Sequence, residues 1–180
     1  MPHVRQHLAM IAATIVLFLA MLALNSWLFL RFEYAPGINW VFLPAGMRLL
    51  CLLLFGASGA IGLLLVSLGV NFLLFFPGDP QRSLVGAVVA AAAPYLVYRL
   101  AQLQFGLRPS LTNLTPLRLL ACALAFAVAG PLLMHVYFAL RGQHDHLLRG
   151  FLVMAAGDFN GTLIVLYLAK GLAHLLPRHT

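Results

Sequence analysis

The chain has 180 residues, 63% of them hydrophobic and 8% charged, with a mean hydropathy of +0.98; a soluble domain carries about 25% charged residues, so a soluble enzyme or binding module is excluded in favour of an integral membrane protein. The formal net charge of +7 reflects eleven Lys and Arg against four Asp and Glu, the basic residues scattered mostly over short loops, which suits orientation in a bilayer and excludes a continuous nucleic-acid surface. Cys51 and Cys122 both fall in apolar segments, so neither a structural disulfide nor a cysteine-based metal site is expected.

Span one is expected over residues 8–30, retained as a membrane anchor because it is long and lacks a small-residue cleavage site. Trp27 and Tyr34 suit the interfacial aromatic position, and residues 31–37 form a short polar loop with Arg31, Glu33, Pro36 and Gly37. Span two, residues 40–55, would rise only about 24 Å, which is short for a hydrocarbon core of about 30 Å. Gly56-Ala57-Ser58-Gly59-Ala60 is a tight break before span three, residues 61–76. The same residues, 40–76, also read as one interrupted or re-entrant element, since non-helical backbone is tolerated where protein shields it.

Pro77-Gly78-Asp79-Pro80 is a turn. Span four covers residues 83–100 with Pro94 inside, and a polar loop at 102–116 carries Arg108 and Pro109. Span five, residues 117–140, holds Gly130-Pro131, where a kink is expected. A second polar loop, 141–149, contains His144-Asp145-His146, read as a solvated loop because no Cys/His zinc framework accompanies it. Span six covers residues 150–168 and the tail carries Lys170, His174, Arg178 and His179. The expected fold is all-α: a single transmembrane helical domain over 1–180, a compact bundle of about six spans with a short or broken second one.

Six spans place both termini on one side. With the N-terminus inside, the inner flanks collect Arg5, Arg99, Arg108, Arg118, Lys170 and Arg178, and the outer flanks Arg31, Arg82, Arg141 and Arg149; this bias of six to four has the cytoplasmic sign. Small residues recur at four-residue spacing as Gly86/Ala90, Ala121/Ala125/Ala129 and Gly157/Gly161, a spacing that lets helices approach closely. Met47, Phe72, Phe75 and Phe76 read as ordinary span fillers.

On this topology Arg48 and Asp158 both lie about 12 Å below the outer boundary, and Asn25, Asn71 and His135 about 8 Å below it. Asn160 is slightly deeper than Asp158. An intramembrane Arg costs about 2.5–3.5 kcal/mol, and Asp158 is the one acidic residue in a comparable apolar setting. Arg48 and Asp158 are therefore expected to lie within interaction range in a polar cluster open to the outer face. The cluster is either a ligand or gating element or an ion pair that fixes helix packing, and Asp158 alternatively stays protonated. Thr162, one turn beyond Asp158, is expected to bond either to it or to the helix backbone. Asn25 and Asn71 read as interhelical hydrogen bonders, and His135 as a core histidine hydrogen-bonded across helices or a proton sensor. No nucleophile motif, phosphate loop or metalloprotease motif is present, Ser58 has no base assignable by span and depth, and a haem would need a second deep histidine. No enzyme activity, metal or cofactor is expected.

Phe42-Leu43-Pro44-Ala45-Gly46, then Gly69-Val70-Asn71, then Gly157-Asp158-Phe159-Asn160-Gly161 resemble, in that order, the MASE-type bacterial membrane-associated sensory domains. In that family a segment close to Trp-Pro-Pro-x-Gly precedes an apolar run, a small-residue stretch ends in Asn, and a late span opens on Gly-Asp or Ala-Asp. Here one proline, Pro44, stands where two are usual, fewer spans fit than the family's eight or so, and no kinase, cyclase or phosphodiesterase domain follows. The resemblance implies a sensor that passes its state to a separate partner, and it names no stimulus. The expected function is thus a non-enzymatic sensor-like or accessory subunit with an outward-facing polar pocket built on Arg48, Asp158, Asn71, His135, Asn160 and Asn25. The alternatives are a substrate-binding or transport component and a structural subunit of a larger complex. Its setting is the bacterial inner membrane, multi-pass with both termini cytoplasmic; membrane lipid and a protein partner or second copy are the expected associates, with Arg99, Arg108 and Arg118 as a basic face for a partner or anionic lipid.

Overall fold

Helix boundaries follow from local chemistry. Asp79 Oδ1 accepts from the Arg82 backbone N–H at 2.9 Å and Thr115 Oγ1 from that of Arg118 at 3.3 Å, with Pro80 and Pro116 in the first turns, where a missing N–H is harmless. Gly106, at φ 56° and ψ 41°, ends its helix in the left-handed conformation. The computed structural model describes residues 2–29, 33–35, 38–106, 115–143 and 146–175. Arg31, Pro36, Gly37, Arg108, Pro109, His144, Asp145, Arg178 and His179 lie outside them, as do the side chains of Lys170 and His174.

The elements are α1 (Pro2–Phe29), a small antiparallel pair β1 (Glu33–Ala35) and β2 (Ile38–Asn39), α2 (Leu43–Val70) continued by a π-helical turn (Asn71–Phe75), α3 (Pro80–Phe105), α4 (Pro116–Leu140) and α5 (Leu147–Leu175). Among the described residues, five helices are long and apolar enough to cross a membrane. Their outer faces are as apolar as their inner ones, with Leu54, Ile61, Leu96, Leu124, Val128 and Leu152 all exposed. Helices apolar all round belong in lipid. The chain is an all-α, multi-pass membrane protein.

The count of five differs from the expected six because residues 40–76 are not split into two helices by a loop. Their break is confined to Gly56, at φ 55° and ψ −127°, a conformation that suits a residue without Cβ. The bend there is sharp. Residues eight apart in a straight helix are about 12 Å distant, yet a Cβ on Gly59 would stand 2.6 Å from the Cys51 carbonyl oxygen. Contacts along α1 trace the path. Leu43 meets Asn25 near the end of α1 and Ser58 meets His7 near its start; a Cβ on Gly62 would then stand 2.8 Å from Thr14. Leu74 and Phe75 share a cleft with Asn25 and Phe29. The first limb of α2 thus descends along α1 and the second climbs back.

α2, α3, α4 and α5 close a ring, each touching the next and α5 returning to α2, while α1 packs chiefly against α2. Phe18, Leu49, Leu52, Leu63 and Phe126 are fully buried. In lipid such burial brings little hydrophobic gain, so close van der Waals fit and hydrogen bonds hold helices together. Glycines supply the fit: a Cβ on Gly46 would stand 2.6 Å from Val165 Cβ, and Cβ atoms on Gly157 and Gly161 would strike the Asn39 and Phe42 carbonyl oxygens. The Gly157/Gly161 face therefore seats irregular backbone in place of another helix. The Ala121/Ala125/Ala129 stripe is not a packing face: Ala121 and Ala125 are exposed, and α4 turns Cys122, Ala123, Phe126 and Ala127 inward.

Candidate functional site

The ring encloses a cavity of about 70 Å³ open to water centres, room for several waters on that measure. Each ring element lends it a side chain: Arg48 and Asn71 from the two limbs of α2 and the turn that follows, Arg82 from α3, Phe126 from α4 and Asp158 from α5. It lies toward the end of the bundle where Phe42, Phe76 and Arg82 also line it. A second cavity of about 380 Å³ at the same end shares Ile38, Arg82 and Phe138 with it, and so forms a vestibule.

Arg48 comes from the first limb of α2, one turn below Pro44. Its guanidinium carbon lies 5.4 Å from the Phe18 ring centroid and 5.3 Å from that of Phe42. The ring faces stabilise the charge but accept no conventional hydrogen bond, and Nε is buried with no acceptor. Asp158 is 2% exposed and is set opposite Gly130, where a Cβ would stand 3.8 Å from its Oδ2. It makes no hydrogen bond or ion pair among the described residues. No nitrogen–oxygen contact within 4.0 Å joins the two groups among the described residues. A direct ion pair is therefore not formed among the described residues, and both groups line one cavity.

Of the six residues expected in one cluster, Arg48, Asn71 and Asp158 line the central cavity. Asn71 donates from Nδ2 to the Ser67 carbonyl at 2.9 Å, within its own helix and not across helices. Asn25 serves elsewhere: its Oδ1 accepts from the Leu43 N–H at 2.8 Å, satisfying an orphan donor at the N-terminus of α2. His135 lines the vestibule, with Nδ1–H donating to the Pro131 carbonyl at 2.8 Å and Phe138 and Phe151 edge-on at 5.4 and 5.8 Å. Asn160 is exposed and donates to the Trp40 carbonyl at 3.3 Å. Thr162 bonds to neither expected partner, since its buried Oγ1 has none among the described residues.

Sequence reasoning missed several lining groups. Phe75 and Phe76, taken as fillers, are cavity wall. Arg82, taken as a flanking charge, lies over the Phe76 ring at 3.9 Å and the Phe138 ring at 5.0 Å, where cavity and vestibule meet. One signal pointed to it: Arg82, Gly86 and Ala90 fall at four-residue spacing on one helix face. Ser58, expected without a base, has one: His7 Nδ1 is 2.7 Å from its Oγ, at the far end of the bundle beside the reversal. Nucleophilic catalysis also needs the base oriented by a third group, and among the described residues His7 has no second hydrogen-bond partner.

No protein-family profile, curated protein or solved structure matches the chain.

Proposed function

We propose that this chain is a non-enzymatic, sensor-like or accessory subunit of the bacterial inner membrane that takes a small polar ligand into its central cavity from the outer side and passes the result to a protein partner. The observation that carries the reading is the separation of Arg48 and Asp158 across one cavity. A packing pair offsets its two desolvation costs by contact. Opposite charges left apart around a cavity suit something bound between them. The three segments that resemble MASE-type domains also converge: Gly46 packs on Gly161, while Asn71 and Asp158 line the cavity.

The reversal at Gly56 favours six passages of the chain. With both ends of the α2 hairpin on the ligand side, the loops after α1, after Phe75 and after α4 share that side, and the two termini share the other. The six-to-four excess of Lys and Arg supports a cytoplasmic terminal side. Arg99 and Arg118, near the α3–α4 connection, then face the inner leaflet, where basic groups attract anionic lipid or an acidic partner by about 1 kcal/mol each.

Two measurements test this reading. Reporter fusions after residue 78 should be active only outside, and after residue 106 only inside; the reverse pattern removes the topology. A panel of small organic ions and metabolites should include compounds that raise the thermal stability of wild-type protein but not of Gly130→Leu, whose side chain fills the cavity. A panel that stabilises both proteins equally, or neither, removes the binding site.

A further inference from the structure

Granted that the central cavity is a binding site, a reading on which the ligand class rests, its charges specify more than polarity. Arg48 offers a guanidinium that lies over the Phe18 and Phe42 rings and whose Nε lacks an acceptor. A guanidinium presents five N–H donors in a planar fork that matches a carboxylate. Asp158, almost fully buried and without a partner among the described residues, offers two acceptor oxygens. Asn71 spends its Nδ2 on Ser67, which leaves its carbonyl oxygen as a further acceptor by the cavity. Phe126, Met134 and Met154 give the wall an apolar side.

A simple anion would match Arg48 but be repelled by Asp158 and leave it unsatisfied. A simple cation would match Asp158 and fail at Arg48. Either would also carry net charge into a site of low dielectric, which is costly. A small molecule that carries both charges, and no net charge, meets each group at once. The cavity, about 70 Å³ open to water centres, limits the remainder of such a molecule to a few heavy atoms. We propose that the cavity binds a small zwitterion of the α-amino-acid type, with its carboxylate on the Arg48 guanidinium, its ammonium on the Asp158 carboxylate, and a short apolar side chain against Phe126, Met134 and Met154. The route in is the vestibule, past Arg82 and Phe138.

The test uses the full chain in lipid nanodiscs, with alanine as probe and its two halves, propionate and ethylammonium, as comparators in equilibrium binding. Alanine should bind, and each half at least about tenfold more weakly, because a site built for both charges is left with one unpaired. Arg48→Met and Asp158→Leu should each lose alanine binding at least about tenfold, while Leu124→Ala, at an exposed residue outside the cavity lining, keeps it. The wild-type comparison stands alone if a charge variant fails to insert. If propionate or ethylammonium matches alanine in wild type and loses binding in Gly130→Leu, the zwitterion is overturned while the cavity remains a binding site. If none of the three binds, the zwitterion is overturned too; the broader panel then decides whether the binding-site reading falls with it.

Discussion

Gly161 gives the sharpest packing test. In Gly161→Ala the new methyl would collide with the Phe42 carbonyl oxygen and carbon and stand 2.8 Å from the Leu43 nitrogen. All three are backbone atoms, so no rotamer change relieves the clash. Overpacking of this kind costs about 1–3 kcal/mol. Displacing the segment also stretches the Phe42 N–H bond to the Gly157 carbonyl, now 3.0 Å, a bond worth about 1 kcal/mol. The better helix propensity of alanine returns up to about 1 kcal/mol, leaving a net loss of about 1–3 kcal/mol. Gly69→Ala is the matched control: it is also in a helix, but its Cβ would meet nothing within 4 Å, so a gain of about 0.5–1 kcal/mol is expected. The two variants should therefore differ by about 2–4 kcal/mol in the same unfolding assay, a titration with denaturing detergent read by tryptophan fluorescence. Trp40, two residues from the clash, should shift its emission in Gly161→Ala and not in Gly69→Ala. Equal stabilities, or an unmoved Trp40 signal, would refute the contact between α5 and the Asn39–Phe42 backbone.

Three other substitutions test the remaining joints. Asn25→Ala should cost about 1–2 kcal/mol by orphaning the Leu43 N–H at the start of α2; a stability change under about 0.3 kcal/mol would mean that the bond adds nothing. Gly56→Ala forces a side chain into positive φ, with its Cβ 3.3 Å from the Tyr98 hydroxyl, and should cost about 1–2 kcal/mol; wild-type stability would count against the reversal there. In the Arg48→Met, Asp158→Leu cycle the charges lie beyond 4.0 Å, so their coupling should fall below the roughly 4 kcal/mol of a contact pair at an effective dielectric of 20, at about 1–3 kcal/mol. Additive costs would show that the two do not interact.

The membrane class, the turn at residues 77–80 and the glycine break near residue 56 were legible because they rest on composition and single-residue chemistry, whereas α1, α3 and α5 run three or more residues past the expected spans at one end or both. Rise per residue was enough to bring Arg48 and Asp158 to one level, with Asn71 about 4 Å above them. It was not enough to say which way each side chain turns. In water an apolar stripe marks the inner face of a helix, but in lipid both faces are apolar and the stripe disappears. The choice between Ala121/Ala125 and Cys122/Phe126 as the packed face of α4 was therefore invisible. Asn25 and His135 pose a related problem: each is satisfied by backbone, Leu43 N–H or Pro131 carbonyl, and side-chain depth says nothing about backbone partners. The contact between His7 and Ser58 spans 51 positions in sequence and depends on a reversal that a single residue makes.

The seating of Asn39–Phe42 on Gly157 and Gly161 has a mechanical consequence. Side chains between two elements act as a cushion, since they can change rotamer and absorb a small displacement. Here main chain rests on main chain, pinned by the Phe42 N–H bond to Gly157, so that cushion is missing. Phe42 is also one of the two rings holding Arg48. A push on that ring from inside the cavity bears directly on α5, a rigid rod of 29 residues whose two ends lie about 40 Å apart. A displacement of the Phe42 main chain therefore meets α5 with no rotamer change between them to absorb it.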